Sequence, residues 1–250
     1  MHLSAASLTT TGRRSNNEDA HLARPELALF AVADGMGGYA CGEVASRIAL
    51  DELGAFVAAV TSDRERTWPN AWDAKLTLGE NLLDQAILVA HRRVIEARPR
   101  NVSRMGTTLA ALYLDREAGL AVLGHVGDSR VYRWRAGELT QLTRDHSMVE
   151  ELRASGAIGP DDSLPGMAHI VTRALGVEGW SRPTVTALRP EPGDRYLLCT
   201  DGLCGVLDAD SIAAHLAYPS RAAAAERLVH AALEAGSNDN ITAVVVGVEA

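Results

Sequence analysis

Lysine is almost missing from this chain: Lys75 is the only one among 24 basic residues, the rest being arginine. That scarcity bears on any glycine-rich turn, because a nucleotide-binding P-loop needs Gly-Lys-Ser/Thr after its glycines. Positive charge is short overall, with 32 acidic residues against 24 basic and a formal charge of −8. A nucleic-acid binder would show a basic stripe, so nucleic acid is excluded as a partner. The three cysteines, Cys41, Cys199 and Cys204, are odd in number and widely placed, as expected of reduced thiols in a cytosol rather than a disulfide framework. None of the eight histidines stands in a His-x-His, His-x-x-x-His or Cys/His pairing, which argues against zinc. No apolar run approaches the ~18 to 20 residues of a membrane span. The opening "MHLSAASLTTTG" lacks the basic-then-apolar order of a secretory signal. These absences together predict an acidic, monomeric protein of the cytoplasm with no membrane span.

What is present is enough apolar material for a sizeable core, 47% of 250 residues. Apolar spacing predicts a helix over residues 44–60, with Val44, Ala45, Ile48, Ala49, Leu53, Phe56, Val57 and Val60 on one face, and a second over 80–97. Strands are predicted at "TTLAALYLD", "LAVLGHVGD", "SRVYRWR", "HIVTRAL", "TVTAL", "RYLLCT" and "ITAVVVGVEA". "SMVEELRASG" reads as a short helix with a capping box of Ser147 and Glu150 and a stop at Gly156. A last helix runs from about Ala222 to Glu234. Helices and strands come in blocks rather than in strict alternation, which favours an α+β fold with antiparallel sheets.

Acidic residues fall at the ends of these strands. "LFAVADG" ends at Asp34, "LGHVGDS" at Asp128 and "YLLCTDG" at Asp201, while Asp239 stands just before the last strand and Glu18 and Asp19 before "AHLA". Asp-Gly suits a tight hairpin, but helical sequence rather than a returning strand follows both Asp34 and Asp201. Carboxylates gathered without lysine or histidine repel one another unless a cation neutralises them. An all-oxygen donor set suits Mg or Mn, so these residues predict a hard-cation site, plausibly binuclear. The glycine-rich "ADGMGGYACGE" has no lysine and no Gly-x-Gly-x-x-Gly spacing, so direct nucleotide binding is disfavoured. Asp34 also projects negative charge where a phosphate would approach.

The segments "RSNNEDA", "ADGMGG", "GTTLAAL", "HVGDSRVY", "DHSMVEELRASGAI", "VTRALG", "CTDGL" and "NDNITAVVV" follow one another in this order. In that set the chain resembles bacterial metal-dependent protein serine/threonine phosphatases of the type 2C class, over about residues 4–248. The resemblance implies a four-layer α-β-β-α sandwich with two antiparallel central sheets, formed by residues 1–250 as one domain with a flap at about 156–171. It implies two Mn2+ or Mg2+ ions bridged by Asp34, with the Gly35 carbonyl as a further ligand. Asp201 and Asp239 complete one ion's shell, Asp19 and Glu18 hold waters of the other, and Asp128 belongs to a weaker third site. Arg14 matches the arginine that grips the substrate phosphate, and with Asp34, Asp201 and Asp239 makes up the catalytic set. Arg13 reads as a solvated neighbour. The implied reaction is hydrolysis of phosphoserine and phosphothreonine in proteins by direct attack of a metal-activated water, opposing serine/threonine kinases.

Three positions depart from the family pattern. Met36 stands where some relatives carry a histidine that protonates the leaving group; His146 is one substitute, a buried or capping histidine being the blander reading. Gly205 replaces an aspartate of the third ion site, and "PGMAHI" replaces the usual flap sequence. Cys199 reads as a core filler, Trp68 and Trp72 as loop residues that pack back, and Thr107 and Thr108 as strand formers. The alternative is a catalytically silent relative that binds phosphoproteins or senses metal. Retention of Asp19, Asp34, Asp201 and Asp239 weighs against it.

Overall fold

A computed structural model describes residues 2–37, 41–63, 67–102, 104–159, 162, 164, 166–167, 170–179 and 182–249. The chain begins with strands β1 (His2–Thr10), β2 (Asp19–Arg24) and β3 (Leu29–Met36), then helices α1 (Cys41–Ser62) and α2 (Leu78–Ala97). Next come β4 (Gly106–Thr107), β5 (Leu109–Asp115), β6 (Leu120–Val126), β7 (Arg130–Arg135), β8 (Glu138–Gln141) and the short helix α3 (Met148–Ala154). The last third holds β9 (Thr184–Leu188), β10 (Arg195–Cys199), α4 (Asp201–Cys204), α5 (Ala209–Leu216), α6 (Arg221–Glu234) and β11 (Ile241–Glu249).

All strand pairs are antiparallel and form two sheets, β1-β11-β10-β7-β8 and β2-β3-β5-β6-β9, with β4 added to β3. Side chains on a strand alternate between faces, and β3 shows how that builds layers. Leu29, Ala31 and Ala33 face α1 and α2, whereas Phe30 and Val32 face the other sheet, against Tyr196, Leu198, Val244 and Val246. On β11 the opposite set, Ile241, Ala243 and Val245, packs under α5 and α6. Three apolar layers therefore separate four layers of structure, α-β-β-α, as the resemblance implied. Cutting Val246, wholly buried between the sheets, to Ala should cost about 2 kcal/mol in lost transfer energy and cavity formation.

The helices follow their stripes, with two differences. Ala45, Ala49, Leu53 and Val57 of α1 are fully buried, but Val44, expected on the same face, is 45% exposed in the first turn, at the edge of the stripe. Ser147 accepts from the Glu150 amide as a cap, yet the Glu150 carboxylate turns outward to Arg144 and Arg153, so that box is half formed. The complete box is Thr77 with Glu80 at the start of α2.

Two strand assignments also change. The small-residue segment 2–10, in which no strand was anticipated, forms β1 along the full length of β11. The described part of "HIVTRAL", residues 170–175, forms none; within it Val171 makes a single bridge to Ser147 and Leu175 one to Thr107. Trp68 packs edge-on against Phe56 and Trp72, as a loop tryptophan folded back on the domain. Of the expected flap, residues 160, 161, 163, 165, 168 and 169 lie outside the described residues, as does Gly38 of the glycine run. Among the described residues no helix is long and apolar enough to cross a membrane.

Candidate active site

Both sheets end at one cavity of about 420 Å3, lined by Arg14, Glu18, Asp34, Asp128, Asp201 and Asp239 together with Gly35, Met36 and Thr108. Sheet β2-β3-β5-β6-β9 supplies Asp34, near the end of β3, and Asp128, two residues beyond β6. The other sheet supplies Asp201, where β10 passes into α4, and Asp239, two residues before β11. Asp34 is not the last residue of its strand, as the sequence suggested: β3 continues through Gly35 and Met36, which pair with Thr107 and Gly106.

Asp19 opens β2 directly opposite Asp34. Like charges in that cross-strand position are destabilising, and the titration of the group reflects it. Burial raises the Asp34 carboxyl well above the usual range, and Asp19, Asp201 and Asp128 raise it further. Burial lifts Asp19 to about 7 against the pull of two threonine hydroxyls, with Asp201 and Asp239 adding to the rise. Asp128 is also lifted to about 7, by burial first and then by Asp201 and Asp145. Glu18 is raised by burial, partly offset by Arg14.

A directed chain of donors fixes Asp19. Its Oδ2 accepts from Thr200 Oγ1 at 2.8 Å and from Thr242 Oγ1 at 2.7 Å. Because the Thr242 proton is committed, the 2.8 Å contact to Thr9 makes Thr9 the donor, and Asn17 Nδ2 in turn donates to Thr9 at 2.9 Å. Asp19 Oδ1 is buried with no hydrogen-bond partner among the described residues. A buried acceptor left so is costly unless a cation meets it. That orphan oxygen, the all-oxygen donor set and the repulsion among neighbours fit a hard divalent ion and not zinc. Among the described residues no three such side chains already close into an ion cage, as expected of carboxyls that repel one another.

The surrounding polar residues were not legible as site residues. Thr107 and Thr108, expected merely to be strand formers, clamp the Asp34 peptide: Thr107 Oγ1 and the Thr108 amide donate to the Asp34 carbonyl, and the Asp34 amide donates to Thr108 Oγ1. Asn240 accepts from the Glu18 amide and donates to the carbonyls of Thr11 and Asn16, tying the loop that carries Arg14 to the start of β11. Ser46 of α1 donates to the Glu18 carbonyl at 2.6 Å. The glycines serve close approach. A Cβ on Gly35 would lie 2.1 Å from the Gly42 carbonyl oxygen, so only glycine lets α1 start against β3.

Arg14 is exposed and forms an ion pair with Asp239 at 2.7 Å, and Arg13 donates to Asn238. His146 is structural: it stacks on His125 at 4.6 Å, accepts from the Gly127 amide and contacts Thr184, with its pKa lowered to about 3 by burial. Gly205 sits where a Cβ would press to 2.7 Å on the Asp201 carbonyl oxygen, so the departure from aspartate agrees with the local packing. Cys199 is fully buried beside Cys204.

The sequence pattern of the family described as protein phosphatase 2C matches residues 10–236. The chain belongs to that family. The serine/threonine protein phosphatase PstP of Mycobacterium tuberculosis is 39% identical over 238 residues, covering 94% of this chain but 43% of the relative. The chain thus spans less than half the length of that curated relative. The crystal structure of the PPM Ser-Thr phosphatase MsPP from Mycobacterium smegmatis, in complex with cacodylate, superposes with a TM-score of 0.83 at 37% identity, over 98% of each chain. The catalytic domain of PstP in complex with two manganese ions superposes with a TM-score of 0.80 at 36% identity, over 99% of each chain. Two antiparallel sheets with helical outer layers are common ground between this family member and those structures.

Proposed function

We propose that this chain is a metal-dependent protein serine/threonine phosphatase, hydrolysing phosphoserine and phosphothreonine esters made by serine/threonine kinases, as a cytoplasmic monomer. The observation that carries the reading is the convergence of Glu18, Asp34, Asp128, Asp201, Asp239 and Arg14 on one cavity, with Asp19 Oδ1 left unpaired beside it. The names of the relatives point the same way, as do the two manganese ions of PstP and the oxyanion bound by MsPP.

Asp34, Asp201, Asp239, Asp19, Glu18 and the Gly35 carbonyl would hold two Mn2+ or Mg2+ ions, with Asp128 beside a weaker third. Bound there, the ions supply Lewis-acid charge to phosphoryl oxygens and lower the pKa of a coordinated water. The chain's own residues prepare the site. The threonine clamp fixes the backbone of Asp34, and the hydroxyls of Thr200 and Thr242 commit one oxygen of Asp19 and leave the other to point at a cation. The exposed Arg14–Asp239 pair contributes about 0–1 kcal/mol, so it exchanges readily. With Asp239 engaged by a cation, the Arg14 guanidinium would be released to offer its fork to the phosphate. Met36 cannot donate a proton, and His146 is engaged in the fold, so protonation of the leaving alkoxide falls to water or to another group of the cleft.

The test is hydrolysis of an aryl phosphate and of a phosphothreonine peptide with Mn2+, with EDTA, and by Asp34→Asn and Asp239→Asn proteins. Turnover only in the unmodified, Mn2+-loaded enzyme is expected. Equal rates in all four conditions would overturn the proposal, and Mn2+ and phosphopeptide binding without turnover would favour the silent relative.

A further inference from the structure

At the opposite ends of β3 and β5 from the cleft lies a second cavity of about 270 Å3, between the last turn of α1, the first turn of α2 and the β5–β6 turn. Ala28 to Asp34 is six residues of extended chain, so the two sites stand on the order of 20 Å apart. The walls are apolar: Trp68 and Tyr113 face aliphatic Val60, Leu78 and Leu82. Such a cavity, with few polar groups fixed in place, is the usual form of a small-molecule site.

One buried polar side chain is set into it, beside the exposed Glu26, Thr61, Arg116 and Glu117. Asp115, at the end of β5, is 7% exposed and lines the cavity. Its Oδ1 accepts from the amides of Glu117 and Ala118 in the turn. Its Oδ2 has no hydrogen bond among the described residues and sits beside Gly79, which also lines the cavity; a Cβ on Gly79 would come within 3.3 Å of it. Glu26 and Glu117 add two exposed carboxylates to the lining, against the one cation Arg116, which also lines the cavity and donates one hydrogen bond to the Pro25 carbonyl. A carboxylate nine-tenths buried keeps its charge at lower cost when a donor meets it.

We propose that this cavity binds a small ammonium compound with an aromatic body, the ring between Trp68 and Tyr113 and the ammonium on Asp115 Oδ2. An ammonium also gains from the aromatic faces. The volume limits the ligand to about the size of one aromatic side chain. The site is independent of the phosphatase reading.

The probe is tryptamine, with indole-3-propionate as the anionic counterpart of similar shape, titrated calorimetrically into the full chain with saturating Mn2+ so that the catalytic carboxylates are occupied. Tryptamine is expected to bind at least tenfold more tightly than indole-3-propionate. Asp115→Asn keeps an oxygen for the two turn amides but replaces Oδ2 by a donor, and should abolish that preference. Asp128→Asn in the cleft should leave it unchanged. Trp68→Ala should weaken both compounds. Equal affinity for the two probes, no binding of tryptamine, or an undiminished preference in Asp115→Asn would overturn the proposal.

Discussion

Asp194 and Asp34 are both buried acids in this fold, and their surroundings are opposite. Asp194, just before β10, has a fully buried side chain held by Arg135 through both oxygens, by the Glu191 amide and by the Tyr196 hydroxyl. Although burial raises its pKa, these partners together hold it below the usual carboxylate range. Asp34 lies among Asp19, Asp201 and Asp128, with no arginine among the described residues that offsets them, and its pKa is pushed up. The first carboxylate has its cation built into the chain; the second group has acids for neighbours, which is what the proposed metal site would use. A buried acid therefore says little about function until its counter-charge is identified.

The contrast can be broken most sharply at Asp34. Asp34→Asn should lower turnover of an aryl phosphate roughly a thousandfold, about 4 kcal/mol of transition-state stabilisation, while its melting temperature in EDTA stays level or rises. Loss of stability with retained turnover would place Asp34 in the structural class. Asp194→Asn should do the reverse, costing about 2 kcal/mol of stability with kcat unchanged, because a buried carboxylate loses its charge-assisted bonds to Arg135 while the partly exposed guanidinium keeps Glu191; thermal melts and steady-state rates read both.

Thr242→Val keeps the shape of the side chain but removes a hydroxyl from Asp19. Partners of metal ligands typically carry tenfold or more of affinity, so Mn2+ binding followed by electron paramagnetic resonance should weaken about tenfold. An unchanged isotherm would show that the donor chain serves folding alone. The smallest effect is a pH dependence. Asp128 has a folded pKa of about 7, raised above its unfolded value. Its contribution to stability is present below the unfolded pKa and is lost as pH rises through about 7. Without ions, Asp128→Asn should therefore exceed the parent in melting temperature by a margin that grows from pH 5 to pH 8. Mn2+ should shrink that margin. Asp194, with a lowered pKa, has the opposite sign: its stabilisation is lost as pH falls through the folded value.

Much of the site could be read from the chain because each acid stands in a short segment with its own spacing: "RSNNEDA", "ADGMGG", "HVGDS", "CTDG" and "NDNIT". The helical stripes of α1 and α2 were legible for the same reason, since a repeat of four residues is a local property. The threonines were not. Thr107, Thr108, Thr200 and Thr242 are β-branched residues in or beside strands, where propensity alone accounts for them, and nothing local marks a hydroxyl that meets a carboxylate about 180 to 220 positions away. Strand β1 escaped notice because its small residues gain their burial only from β11.

By itself the sequence determined which residues carry charge near the ends of strands and that no lysine or histidine stands among them, which is what pointed to an added cation. Tertiary structure alone decided that acids from two separate sheets meet in one cavity. It also decided that Arg14 rests on Asp239, and that one oxygen of Asp19 is held while the other is left open. The physical reason is range: composition and spacing act over a few residues, whereas burial, repulsion and hydroxyl donation depend on which strands the folded core brings side by side.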